Sequence, residues 1–249
     1  MPVWLEAGLW GLLAGGALVI GAAVAWFVPV PQRVVASVMA FGSGVLISAL
    51  SFDLVDEAEA TGGLVPTLLG FGAGAIVYVV ANVALARRGA AHRKRSQAQQ
   101  PSEDEQEGSG AAIAIGALLD GVPESVVLGV SLLGGGGVGV SVLAAVFISN
   151  LPEGLSSASG MKANGRSARY VFGVWGAIAL AGGVAGLLGA LLLDGAPGET
   201  IAVITAVAAG AILAMVADTM IPEAFERAHL YAGLITAAGF MTAFAIGRA

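Results

Sequence analysis

Long apolar runs alternate with short polar breaks along the whole chain. A bilayer core needs about 20 mostly apolar residues per helix. Runs of that length predict eight helices, near residues 6–29, 34–55, 63–86, 109–134, 137–160, 170–193, 199–224 and 228–248. Eight core helices of a soluble protein would need polar faces, which these runs lack. The first run follows an acid and no base, so it reads as a membrane helix and not as a cleavable signal. One break is long. Residues 87–108, "RRGAAHRKRSQAQQPSEDEQEG", open basic and close acidic. This stretch has too little apolar area to offset its ordering entropy, which predicts a mobile linker. The short break "GGGG", residues 134–137, predicts a flexible turn; no Lys-Ser/Thr follows it, so it is no phosphate loop. The expected fold class is an all-α polytopic membrane protein. It is a single membrane domain over 1–249, with spans 1–3 at 6–86, the linker at 87–108, and spans 4–8 at 109–248.

Composition agrees with that pattern. The chain is 57% hydrophobic and 11% charged, with a mean hydropathy of +0.88. A soluble domain carries about 25% charged residues. The 38 glycines suit close packing of membrane helices, most visibly in spans 1, 3 and 6. The chain has no cysteine, which excludes disulfides and thiolate metal sites. Charge distribution sets an orientation. Ten of the 11 basic residues fall in breaks on one side: Arg33, the five between 87 and 95, Lys162, Arg166, Arg169 and Arg227; Arg248 lies opposite. That side is expected to be cytoplasmic, in a cell membrane, with the 87–108 loop inside and both termini outside.

Several acids fall inside the predicted spans. Each costs about 2.5–3.5 kcal/mol on insertion scales, so each needs a reason. "DGVPES" (120–125) and "SNLPEG" (149–154) each put a Pro-Glu pair in an apolar run, with a polar residue four positions before the Glu. Four-residue spacing places Asp120 with Glu124, and Ser149 with Glu153, on one helix face; Asn150 lies on the same side as Glu153. Asp53, Asp218 and Glu223 lie in spans 2 and 7. Pro123, Pro152 and Pro222 free the carbonyls of Leu119, Ile148 and Asp218. No span contains a Lys or Arg to neutralise the acids, so a bound cation is the expected partner. The two histidines, His92 and His229, lie in the linker and at a helix start, and read as solvated.

These features together resemble the ZIP family of divalent metal transporters, over essentially the whole chain. The family has eight spans, outside termini and a long loop between spans 3 and 4. Its span 4 and span 5 signatures are similar to "DGVPES" and "SNLPEG", and its spans 2 and 7 to "FGSGVLISALSFDLVDEA" and "AAGAILAMVADTMIPEA". Asp120 and Ser149 stand where the family has His, Gly121 where it has Asn, and Thr219 where span 7 often has Glu. "WGAIALAGG" in span 6 has no acid. The chain therefore reads as a divergent member of bacterial or archaeal type, in a ZIP-like bundle. The resemblance implies metal ligands at Asp120, Glu124, Asn150, Glu153 and Ser149, with Asp53 and Asp218 as outlying candidates, and loss of the family's second metal site. It implies a transported divalent ion, Zn²⁺ first, with Fe²⁺, Mn²⁺ or Mg²⁺ as alternatives. Oxygen-only ligands suit the harder ions better. Expected partners are the bilayer and the metal; no nucleic acid is expected, and a homodimer is compatible.

Two other classes compete. An intramembrane hydrolase would need a signature such as His-Glu-x-x-His or Gly-x-Ser-x-Gly, and neither occurs, so no enzyme is expected. A metal sensor, or a transporter of another solute on the same fold, keeps the same acids. The orientation is directly testable. Tags at either terminus should be reached by an impermeant reagent from outside intact cells; a protected N-terminus contradicts the orientation.

Overall fold

The computed structural model describes residues 1–94, 100–102, 104–133 and 139–248. The expected "GGGG" turn lies outside them. The described part is all-helical, 86% helix with no strands. The helices are α1 (Val3–Phe27), α2 (Gln32–Ala49), α3 (Asp56–Gly62), α4 (Leu64–Leu85), α5 (Ser109–Ser131), α6 (Val140–Ala163), α7 (Ala168–Leu193), α8 (Gly198–Met215), α9 (Ile221–Ala228) and α10 (Ala232–Ile246). A π-helical turn, Leu50–Val55, joins α2 to α3, and another, Val216–Met220, joins α8 to α9. The second ends beside Pro222, which has no N–H to continue an α-helical ladder.

Among the described residues, six stretches are long and apolar enough to cross a membrane: Val3–Phe27, Gln32–Gly62, Leu64–Ala90, Ser109–Ser131, Ala168–Leu193 and Gly198–Ile246. They fit a multi-pass membrane protein. Outward side chains agree: on α4, Leu68, Leu69, Ile76, Val77 and Val80 are each more than 60% exposed. The last stretch is 49 residues long. At about 1.5 Å rise per residue it would far exceed the bilayer core if straight. His229, with φ 47° and ψ −126°, breaks it between α9 and α10. Helix α6 is not among the six. It carries Ser149, Asn150, Glu153, Ser156 and Ser157, all buried.

Packing explains how so polar a helix is tolerated. Helix α6 lies against α1 and α2, away from lipid, while α5 lies against α7 and α8. The two motif helices hardly touch each other. Glycines set the close approaches. A side-chain carbon at Gly154 would overlap the Leu18 carbonyl, and one at Gly21 would overlap that of Leu151, so α1 and α6 meet backbone to backbone. Helices α4 and α8 do the same through Gly74 against Val207 and Gly210 against Phe71. This bears on the expectation of close contacts along spans 1 and 3.

Neighbouring glycines on α4 give a matched test. Gly74 is blocked by backbone, whereas Gly72 has open space around it. Gly74→Ala should destabilise by about 1–3 kcal/mol through overpacking, seen as a lower thermal midpoint in detergent, and Gly72→Ala should leave the midpoint in place.

Candidate functional site

The i, i+4 spacing on α5 and α6 delivers what it predicts. Asp120 and Glu124 from α5, and Glu153 from α6, are buried at 2%, 1% and 4% exposure. They lie within electrostatic reach of one another. What joins them is a side chain that the span-by-span reading did not consider. The Lys94 ammonium sits 2.9 Å from Glu153 Oε1 and 3.4 Å from Asp120 Oδ2, bridging the two motif helices.

Its neighbour Arg93 is bound more completely. Nε and Nη2 donate to the two Asp120 oxygens at 2.9 and 2.8 Å, the two-pronged geometry that suits a guanidinium and a carboxylate. Nη2 also donates to Tyr78 Oη at 2.9 Å, and Nη1 donates to Asn82 Oδ1 at 2.7 Å and to the Ala90 carbonyl at 3.3 Å. Tyr78 in turn donates to Asp120 Oδ1 at 2.6 Å. Burial acts to lower the pKa of Arg93, but the Asp120 carboxylate outweighs it and holds the guanidinium above the ordinary arginine range.

These contacts correct two expectations. The acids do have basic partners, and the described ends of the 87–108 segment are folded into the protein. The reason is local. After α4, a π-helical turn at Ala86–Ala90 is bent by Gly89, whose φ of 99° favours glycine, and the chain turns back toward α5. On α5, Gly116 leaves room for the arginine: a carbon added there would lie 2.5 Å from Arg93 Cδ. Gly116 stands one helical turn before Asp120, so the arginine stem crosses α5 over a glycine and ends on a carboxylate. The backbone is then fastened to α6. Ser156 Oγ donates to the Lys94 carbonyl at 2.6 Å, and Gln100 Nε2 donates to the carbonyls of Arg93 and Ser157 at 3.0 and 3.1 Å.

The other expected residues divide. Asn150 is buried beside Glu153 in sequence, and its Nδ2 donates to the Ala14 carbonyl of α1 at 3.0 Å. Ser149 Oγ donates back to Val146 in its own helix at 3.0 Å. Asp218 is exposed, and its Oδ2 lies 3.5 Å from Asn82 Nδ2, so it meets the cluster only through Asn82. Asp53 lines a different cleft, with Ser48, Asp56 and Arg248. Glu223 is buried, its Oε1 3.2 Å from Ser156 Oγ. Among the described residues, no three His, Asp or Glu side chains form a metal-holding group as they stand. Glu124 Oε1 is buried with no hydrogen-bond partner among them. Sequence reading missed Arg93, Lys94, Tyr78, Asn82, Gln100 and Ser156. A usable signal was present: a polar aromatic and an amide, Tyr78 and Asn82, four apart on span 3.

The arrangement is a closed chamber of buried charged groups between two motif helices, with its positive charge supplied by Arg93 and Lys94. Set against known proteins, the chain matches no family model and no curated protein.

Breaking a buried pair from one side leaves an uncompensated charge, at a cost of about 3–5 kcal/mol. Arg93→Met should therefore sharply lower the thermal midpoint. Arg93→Met combined with Asp120→Leu should recover most of that loss. A single variant as stable as the parent would contradict the pairing.

Proposed function

We propose that this chain is a divalent metal cation transporter of the ZIP type. It would move Zn²⁺, or Fe²⁺ or Mn²⁺, into the cytoplasm by alternating access through the carboxylates of α5 and α6. The observation that carries this reading is the Lys94 ammonium held between Asp120 and Glu153. The chamber already takes a positive charge at the point where the two Pro-Glu motifs meet. On this reading Glu124, Glu153 and Asn150 hold the metal, and Asp120 borders it. The metal is cargo: ligands exchange and no covalent bond is made.

The proposed topology has eight crossings. Helix α6 crosses while shielded from lipid by its neighbours, and the Gly198–Ile246 stretch crosses twice, turning at His229. The basic breaks then lie in the cytoplasm and both termini outside. The packing supports a moving part. Helices α5 and α6 hardly touch each other directly, although α1, which seats α6, also packs extensively on α7, the neighbour of α5. Two helices that share a site but little direct packing can part around it by a small shift against their neighbours.

A metal sensor on the same fold is the second reading, favoured by the buried ion pairs that already neutralise much of the site. Proteoliposomes holding the purified chain separate the two. Transport predicts uptake of at least one of Zn²⁺, Fe²⁺, Mn²⁺ and Mg²⁺. Glu124→Ala and Glu153→Ala should each lower that uptake by about 10–100-fold, the range seen for disturbed metal shells. Metal binding without flux selects the sensor. Flux that ignores both substitutions removes these ligands.

A further inference from the structure

Arg93 and Lys94 are adjacent and both buried, yet they are held in different ways. An arginine has five N–H donors, and Arg93 has five hydrogen bonds to match: two to Asp120, and one each to Tyr78, Asn82 and Ala90. Lys94 has three donors. Its ammonium makes two ion pairs, and no aligned hydrogen bond to it occurs among the described residues. The guanidinium is fixed by geometry and the ammonium by charge alone.

We propose that Lys94 is a tethered competitor for the cation chamber and Arg93 its permanent anchor, so that a divalent ion enters by taking the place of the Lys94 ammonium. This rests on the transport reading above and adds a selectivity device to it.

Charge counting gives the selectivity. Three carboxylates, Asp120, Glu124 and Glu153, face two cations, leaving one negative charge if all are ionised. Replacing the ammonium with a divalent ion brings that set to neutrality. Replacing it with a monovalent ion leaves the charge unchanged and must compete with a tethered group at an effective concentration on the order of millimolar. Releasing both Arg93 and Lys94 would leave the divalent complex charged, and would also strand Tyr78 and Asn82. Exchange of a single cation balances the set, and of the two Lys94 is the one whose release breaks no aligned hydrogen bond, whereas releasing Arg93 breaks five. A free acceptor is already present for the incoming ion at Glu124 Oε1. The backbone of Lys94 can stay on Ser156 while the side chain swings away, because that bond uses the main-chain carbonyl.

The chain makes the test clean. It has two lysines, Lys94 and Lys162. Lys94 is 5% exposed, whereas Lys162 is exposed. Reductive methylation of the purified full chain, read by mass spectrometry, should modify Lys162 and spare Lys94 without divalent metal. Adding Mn²⁺ should raise modification of Lys94 relative to Lys162 by about tenfold, and Na⁺ at equal ionic strength should not; in the same way, freeing a site from an internal competitor lowers its apparent Kd by the fraction released, so Lys94→Met should tighten Mn²⁺ binding by at least about tenfold in equilibrium dialysis, while Lys94→Arg should not. Mn²⁺ that binds with Lys94 still protected, or that binds the parent and Lys94→Met alike, overturns the competitor and leaves the transport reading standing. No binding of Mn²⁺ or Zn²⁺ to either protein overturns both.

Discussion

A carboxylate taken out of water costs several kcal/mol unless a cation comes with it. In this molecule the ion pair between Asp120 and Arg93 meets that demand, and much of the architecture serves it. Asp120 sits inside an apolar helix at 2% exposure. Its partner has to come from outside the span, because α5 itself holds no base. The chain after α4 therefore turns back through Gly89, and α5 keeps Gly116 clear so that the arginine stem can cross it. Tyr78 and Asn82, one turn apart on α4, complete the guanidinium's bonds. Three stretches of sequence are thus committed to one buried charge.

The second constraint is the polarity of α6. A helix carrying Ser149, Asn150, Glu153, Ser156 and Ser157 cannot face lipid without leaving polar groups unsatisfied. It is enclosed by α1 and α2, and the enclosure is tight because Gly21 and Gly154 let two backbones meet. Gly154 directly follows Glu153, so the contact that seats the helix also fixes the height of the carboxylate. The Asn150 amide, bonded to Ala14 of the same partner helix, adds a second fixed point. The α6 carboxylate is therefore held firmly on its own side, and between α5 and α6 themselves, which hardly touch, the charged link is Lys94.

Much of this was legible in the sequence. The apolar runs located most of the long helices to within a few residues, because hydropathy over about 20 residues is a strong local signal, but the second helical stretch runs on to Gly62 and six candidate spans, not eight, stand among the described residues. The four-residue spacing put Asp120 with Glu124 on one buried face. The failures have a common cause. Arg93 and Lys94 lie in a segment whose composition predicts mobility, and composition cannot register a few residues whose order comes from bonds to distant helices. The search for countercharges was confined to the spans, while the cations came from between them. Asp53 and Asp218 carried the same residue type as Asp120 in similar runs. Their separation from the chamber depends on helix packing that spacing does not encode.

On the proposed ZIP-type reading, the same ion pair would account for Asp120 standing where that pattern has a histidine. A neutral imidazole adds no charge to a metal site. An aspartate alone would add one, and would raise the repulsion among Glu124, Glu153 and itself. Paired with Arg93 through both oxygens, Asp120 is electrically close to neutral, and so returns the chamber to the charge an imidazole would give it. On that reading Asp120 and Arg93 act together as one neutral ligand would. Under the proposed function, Glu124 and Glu153 are the charges that would meet an incoming ion, and Lys94 is the group that would hold their place until it arrives.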